Sequence, residues 1–218
     1  MEDGGSAGDG GAAGNNGFNE GEMFRGTHLP TTGFVNEYKD VQAHGNTQLH
    51  VIHTNDQKQM ATSLEQYECH KILEIDLDYT NKAGVTQKPS LVQLFVDKTR
   101  PMLLFQLSTN ERCTIFDNFL VDPRYTFDGF CIDSDKTRLE RVNLEVTNFI
   151  GIQKEWRVPK ATKELHSLAD VDGILVDDYY NDMNKKITDE EHMRFVSLPL
   201  SKRHIEYVAK DAYIVYEI

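Results

Sequence analysis

Apolar residues recur along this chain in short runs whose spacing predicts the elements one by one. Gln48–Asn55 sets Leu49, Val51 and His53 against His50, Ile52 and Thr54, a period of two that predicts a strand. Lys58–Tyr67 places Met60, Leu64 and Tyr67 at helical spacing, which predicts a short amphipathic helix. Lys71–Asp78 is apolar at Ile72, Leu73, Ile75 and Leu77 and reads as a buried strand. Leu91–Val96 and Met102–Leu107 are two further apolar runs, joined by Asp97–Pro101, whose sequence is turn material. These three runs predict a β-meander.

Downstream, Glu111–Leu120 predicts a helix that sets Ile115 beside Phe119, and Tyr125–Phe130 a strand that ends at a glycine-permitted turn. Ser134–Glu140 reads as a short helix, Val142–Ile150 as strand-like, and Ala161–Ala169 as a helix with Leu165 and Leu168 inward. The last helix carries the clearest signals. Ser201 suits an N-cap, and Leu200 and Ile205 suit a hydrophobic staple. Ile205, Val208, Ala209, Ala212, Val215 and Tyr216 make its apolar face. Strands come first and helices are interspersed, so the expected class is α/β with a mixed central sheet flanked by helices. There is no internal repeat.

Composition changes this picture at the N-terminus. Residues 1–22 are rich in Gly and acid and nearly free of apolar side chains, so they cannot offset their ordering entropy and are expected to be disordered. Residues 23–46 read as a polar, irregular lead-in, which leaves 47–218 as one domain. The tail holds five acids and no Lys or Arg; without it the formal charge of −12 becomes −7. An acidic domain argues against a general nucleic-acid coat, because phosphate affinity comes from Lys and Arg. It argues less against a metal-dependent nuclease, whose carboxylates are neutralised by bound cations.

Cys69, Cys113 and Cys131 match no metal-binding spacing, which suggests buried thiols in a reducing compartment. No apolar run approaches membrane-spanning length and no secretory signal is evident, so no membrane partner is expected. Without a Lys/Arg cluster of the nuclear-import type, nucleus and cytoplasm both stay open.

Three segments carry candidate chemistry. On a strand, residues two apart share a face, so Glu74, Asp76 and Asp78 project together from a run otherwise made of Ile and Leu. Such carboxylates suit a solvated strand end or a divalent, oxygen-seeking cation. Asp133 and Asp135 follow the glycine turn and could cap a helix. Tyr207 and Asp211 are four apart on the last helix and share a face distinct from the apolar one. Each segment alone has an ordinary explanation.

Together and in this order, they resemble the DEDD exonucleases of the ribonuclease-H-like fold, in the Tyr-bearing (DEDDy) subgroup. Within it they look like the Werner-syndrome-type 3′–5′ exonuclease domain, in the compact form found in plants. The likeness covers about residues 48 to 218. Asp76-Leu77-Asp78 stands where that family carries Asp-x-Glu. The hairpin Leu91–Leu107 matches in its PSLVQLFV and LLFQL runs. Asp122–Leu139 matches a DPxYTFxGxxIxxDxxxL segment that supplies Asp135. Leu198–Tyr213 matches LPLSxxxIEYxAxDAY, supplying Tyr207 and Asp211.

The resemblance implies two-metal hydrolysis. Asp76, Asp78, Asp135 and Asp211 would hold two Mg²⁺ or Mn²⁺ ions about 3.5–4 Å apart. Tyr207 would orient the attacking water, and Asp78 would share the catalytic work. The substrate would be the 3′ end of single-stranded RNA or DNA and the product a 5′-nucleoside monophosphate. By analogy with relatives, a homo-oligomer and a helicase or RNA-silencing partner are implied.

This chain departs from the family at Asp78, one methylene shorter than Glu, a shortfall of about 1 Å that can cost on the order of 100-fold in rate. Tyr79 and Phe195 stand where relatives carry other aromatics, usually Trp. Two functions are therefore expected: an active exonuclease, or a weak or inactive relative that binds nucleic acid or protein.

Outside the motifs, Trp156-Arg157 suits base stacking or core-edge packing, and Lys202 and Arg203 a phosphate contact or a solvated helix end. His50 and His53 read as surface or edge residues, His204 as one to watch beside Tyr207, and Asp170–Asp182 as a solvated acidic stretch.

Overall fold

The computed structural model describes residues 33–80, 89–107, 112–152, 168–178 and 187–218. Among these, seven strands form one mixed sheet. They are β1 (Val35–Gln42), β2 (Gln48–Thr54), β3 (Ile72–Tyr79), β4 (Pro89–Phe95), β5 (Met102–Gln106), β6 (Thr126–Gly129) and β7 (Phe149–Gly151). Their order is β1-β2-β5-β4-β3-β6-β7. The β3-β4-β5 meander is antiparallel throughout, as its apolar runs predict. β6 and β7 then add in parallel beside β3, and β2 runs parallel to β5. The helices are α1 (Gln57–Glu65), α2 (Thr114–Val121), α3 (Ile132–Glu140), α4 (Leu168–Leu175), α5 (Asp189–His192) and α6 (Lys202–Glu217).

The strand alternation sorts the core onto two faces. Leu73, Ile75, Leu77, Val92 and Leu94 pack with Met60 and Leu64 of α1 and Phe116, Phe119 and Leu120 of α2. Leu91, Phe95, Val51 and Leu104 point the other way, against Ile205, Val208, Ala209 and Ala212 of α6. β4 is buried over its whole length, because both of its faces are covered. α6 starts as predicted: the Ser201 hydroxyl accepts from the His204 amide at 3.3 Å, and Leu200 and Ile205 are buried.

Several expectations change. The lead-in is not irregular over Val35–Gln42, which pairs antiparallel with β2 as an edge strand. Its side chains alternate only weakly in burial, so periodicity could not reveal it. Ile115 is exposed, and α2 turns Phe116 inward instead. The strand expected over Val142–Ile150 shrinks to Phe149–Gly151; Leu144 and Val146 are buried from an irregular segment. On α6, Tyr213 and Ile214 are buried while Tyr216 is exposed.

His53 is fully buried rather than at the surface, 3.1 Å from the Gln106 side chain, and burial lowers its pKa to about 4. His50 is half-buried on β2, which lies between β1 and β5 rather than at the edge, and stands 2.7 Å from Glu37. Cys113 is buried, but Cys69 and Cys131 are exposed, and none is in a disulfide. Asp177 and Asp178 of the acidic stretch are exposed. The expected tail, Trp156-Arg157 and the 161–167 part of the predicted helix lie outside the described residues; α4 begins at Leu168. No helix among the described residues is long and apolar enough to cross a membrane.

Candidate active site

The site forms where β3, α3 and α6 meet. Alternation along β3 turns Leu73, Ile75 and Leu77 into one core and Glu74, Asp76 and Asp78 toward the α6 side. In the antiparallel register Asp76 stands opposite Gln93 and Asp78 opposite Leu91. Gln93 is fully buried, and its Nε2 donates to Asp78 Oδ2 at 2.8 Å and to Asp76 Oδ2 at 3.4 Å. The shorter Asp78 is thus held from the neighbouring strand.

Gly129 fixes the spacing of β6 from β3. A Cβ there would lie 2.7 Å from the Ile75 carbonyl oxygen, so the residue is needed for close approach rather than for a left-handed turn. The chain then enters α3. Cys131 is the N-cap and makes no side-chain cap bond, so neither Asp133 nor Asp135 caps this helix. Asp133 is exposed, whereas Asp135 is buried, with Oδ1 2.9 Å from Arg138 Nη1.

α6 supplies the remaining pair. Tyr207 packs at the edge of the α6 core, and its hydroxyl hydrogen-bonds the Asp211 carboxylate one turn later. His204 does not reach the acids. Its ring is held between Ser201 Oγ at 2.6 Å and the Glu191 carbonyl at 3.1 Å, which ties the segment before α6 in place. Phe195 is buried against the His204 and Tyr207 rings. Arg203 is 3.1 Å from Glu191 and Lys202 3.6 Å from Glu206, so both read as ion-paired positions at the start of the helix.

Electrostatics show that these carboxylates face one another. Burial raises the Asp76 carboxyl well above its usual range, and Asp135, Asp78 and Asp211 raise it further. Asp78 is raised by burial first, then by Asp211 and Asp135, against the Gln93 hydrogen bond. Burial lifts Asp211 to about 7, opposed by the Tyr207 bond. Asp135 rises to about 6 by burial, opposed by the Arg138 charge. Tyr207 is raised by burial and then by Asp211 and Asp78. Acids pushed upward together on one side of the sheet make this cluster the candidate functional site.

Glu74 joins the cluster from behind. Both of its oxygens are buried without a hydrogen-bond partner among the described residues, and burial raises its carboxyl well above the usual range. Burial without a partner disfavours the charged form of this carboxyl. Gln93 and Arg138 were not singled out in the sequence. The signals were present: a lone amide in the apolar run Leu91–Val96, and an arginine three residues after Asp135.

The donor set suits Mg²⁺ or Mn²⁺: four carboxylates, close enough to raise one another, supply hard oxygen ligands. The side chains do not form a closed cage, however. Among the described residues, no three His, Cys, Asp or Glu side chains stand in a metal-holding arrangement. Asp78 is turned to Gln93 and Asp135 to Arg138.

No family model and no curated protein sequence matches the chain. Solved structures do. Escherichia coli RNase D, described as an exoribonuclease involved in structured RNA processing, superposes with a TM-score of 0.55 at 16% identity over 75% of this chain and 41% of that one. The Aedes aegypti Nibbler EXO domain gives 0.55 at 14% over 73% of this chain and 83% of its own. Brucella melitensis NrnC with bound Mg²⁺ gives 0.57 at 14%, covering 71% and 72%. The chain thus spans about two fifths of the RNase D protein. At such identities the likeness is one of fold. It agrees with the motifs on the architecture, though not on the Werner-type branch in particular. This chain therefore has the ribonuclease-H-like fold that these solved structures share.

Proposed function

We propose that this chain is a metal-dependent 3′–5′ exonuclease on single-stranded nucleic acid, nearest in its motifs to the Werner-type branch. The observation that carries this reading is the convergence of Asp76, Asp78, Asp135, Asp211 and Tyr207 on one side of the sheet, in a fold shared with RNase D and NrnC.

Asp76, Asp78, Asp135 and Asp211 would hold two Mg²⁺ or Mn²⁺ ions. When bound, such ions lower the pKa of a coordinated water and stabilise the leaving oxygen. The protein's own residues do the positioning. Gln93 aims Asp78 and Asp76 from β4. Tyr207 keeps its proton, because burial and then the neighbouring acids raise its pKa, so it acts as a hydrogen-bond donor and not as a base. Pointed at the attacking water or the phosphate, it orients in-line displacement. Hydrolysis of the last phosphodiester releases a 5′-nucleoside monophosphate. RNA is supported as a substrate by the exoribonuclease among the fold's relatives.

A second reading, a weak or inactive binding module, is favoured by Asp78 in place of Glu and by the Arg138 contact on Asp135. Release of mononucleotides from a 3′-labelled single strand with Mg²⁺ or Mn²⁺ decides between them. Asp211→Ala should lower that release by about 100-fold or more. Release unaffected by this change would place the chemistry elsewhere. No release, together with no metal-induced rise in melting temperature, would leave the binding module.

A further inference from the structure

Arg138 enters the acidic cluster from α3. Its Nη1 lies 2.9 Å from Asp135 Oδ1 and 2.8 Å from Ser134 Oγ. The guanidinium also stacks 4.0 Å from the centroid of the Tyr79 ring. Tyr79 directly follows Asp78 on β3. The arginine is therefore held at both edges of the site, by a ring on the strand and a carboxylate on the helix. Ion pairs three residues apart are common on helix surfaces and do little there. This one differs, because the side chains are only 15% and 7% exposed. A pair so far out of water costs desolvation, and breaking it strands a charge.

We propose that Arg138 is the resident counter-cation of the cluster: it holds Asp135 where a divalent ion would otherwise do so, and metal loading displaces it from that carboxylate. The proposal rests on Asp135 being a metal ligand, as argued above. Two consequences follow from charge alone. A fixed positive charge within a few ångströms opposes a second cation, and the guanidinium occupies an oxygen that the metal needs. At the same time it keeps mutually repelling acids together when no metal is bound. A merely structural pair would do the second and not the first.

The test uses the full chain as wild type, Arg138→Gln and Arg138→Lys. Mn²⁺ binding is measured by calorimetry, and melting temperature is measured in EDTA. Arg138→Gln is expected to bind Mn²⁺ about fivefold tighter and to melt lower in EDTA, since it removes both the repulsion and the pair. Arg138→Lys keeps the charge but loses the planar fork and stacking. Its Mn²⁺ affinity should fall between the two, about twofold above wild type, and it carries the test if the glutamine variant does not fold. Folded variants that bind Mn²⁺ no tighter than wild type would overturn the role. If none of the three proteins binds Mn²⁺, the metal-site reading itself fails, and this role with it.

Discussion

Gln93 donates to Asp78 across the β3–β4 ladder, with Nε2 and Oδ2 2.8 Å apart. The contact ties Asp78, a buried acid one methylene shorter than the Glu of the family pattern, to a strand that is covered on both faces. Gln93→Leu keeps the apolar pattern of β4 but removes the donor. It should cost about 1–3 kcal/mol, because Asp78 is left without its buried partner. It should also lower nucleotide release by about 100-fold through loss of aim. Urea denaturation and single-strand digestion measure the two effects, and unchanged digestion would remove Gln93 from the site.

The same contact bears on the missing methylene. Asp78→Glu restores the longer acid of the family pattern and lets the carboxylate reach past Gln93. Release should rise, by up to about 100-fold, the rate that a misplacement of about 1 Å can cost. A fall in release, with a normal melting temperature, would mean that this site is built around the shorter side chain.

Asp211 makes stability depend on pH. Burial raises its folded pKa to about 7, above the usual 3.8. The folded chain therefore holds a proton that the unfolded chain has lost. Stability from this group is full below about pH 4 and is lost as pH rises through 7. Asp211→Asn keeps a neutral side chain at every pH. In EDTA its melting temperature should exceed that of wild type by a margin that grows from about pH 4 to about pH 7 and is level above that. His53, which titrates lower and in the opposite sense, is common to both proteins and cancels. Mn²⁺ should raise the wild-type melting temperature more at the higher pH, because the ligands must be deprotonated. A margin that shrinks with pH would contradict the raised pKa.

Gly129 tests whether strand spacing sets the site. In Gly129→Ala the new methyl would sit 2.7 Å from the Ile75 oxygen and 3.2 Å from Ile132 Cδ1. The backbone cannot give way cheaply, so a loss of about 1–3 kcal/mol is expected. β6 would move away from β3 and carry α3 and Asp135 with it, lowering Mn²⁺ affinity as well. Stability and affinity both at wild-type levels would show that the sheet absorbs the methyl without moving Asp135.

The sequence by itself determined much of this protein. The meander is written in the apolar runs of β3, β4 and β5, since a strand covered on both faces is mostly apolar. Ser201, Leu200 and Ile205 determined where α6 begins, because capping and stapling are local interactions. The four-residue spacing put Tyr207 and Asp211 on one face for the same reason. Other features were decided only when distant segments met. β1 is an edge strand with weak alternation, and its place depends on pairing with β2. His53 reads as polar in sequence but is buried once Gln106 lies beside it. Gln93 faces Asp76 and Asp78 because of antiparallel register, and Arg138 lies over Tyr79 because α3 crosses the end of β3. The acids could be picked out one at a time along the chain; their mutual repulsion, and the amide and guanidinium that answer it, arise only from through-space distances between segments far apart in sequence.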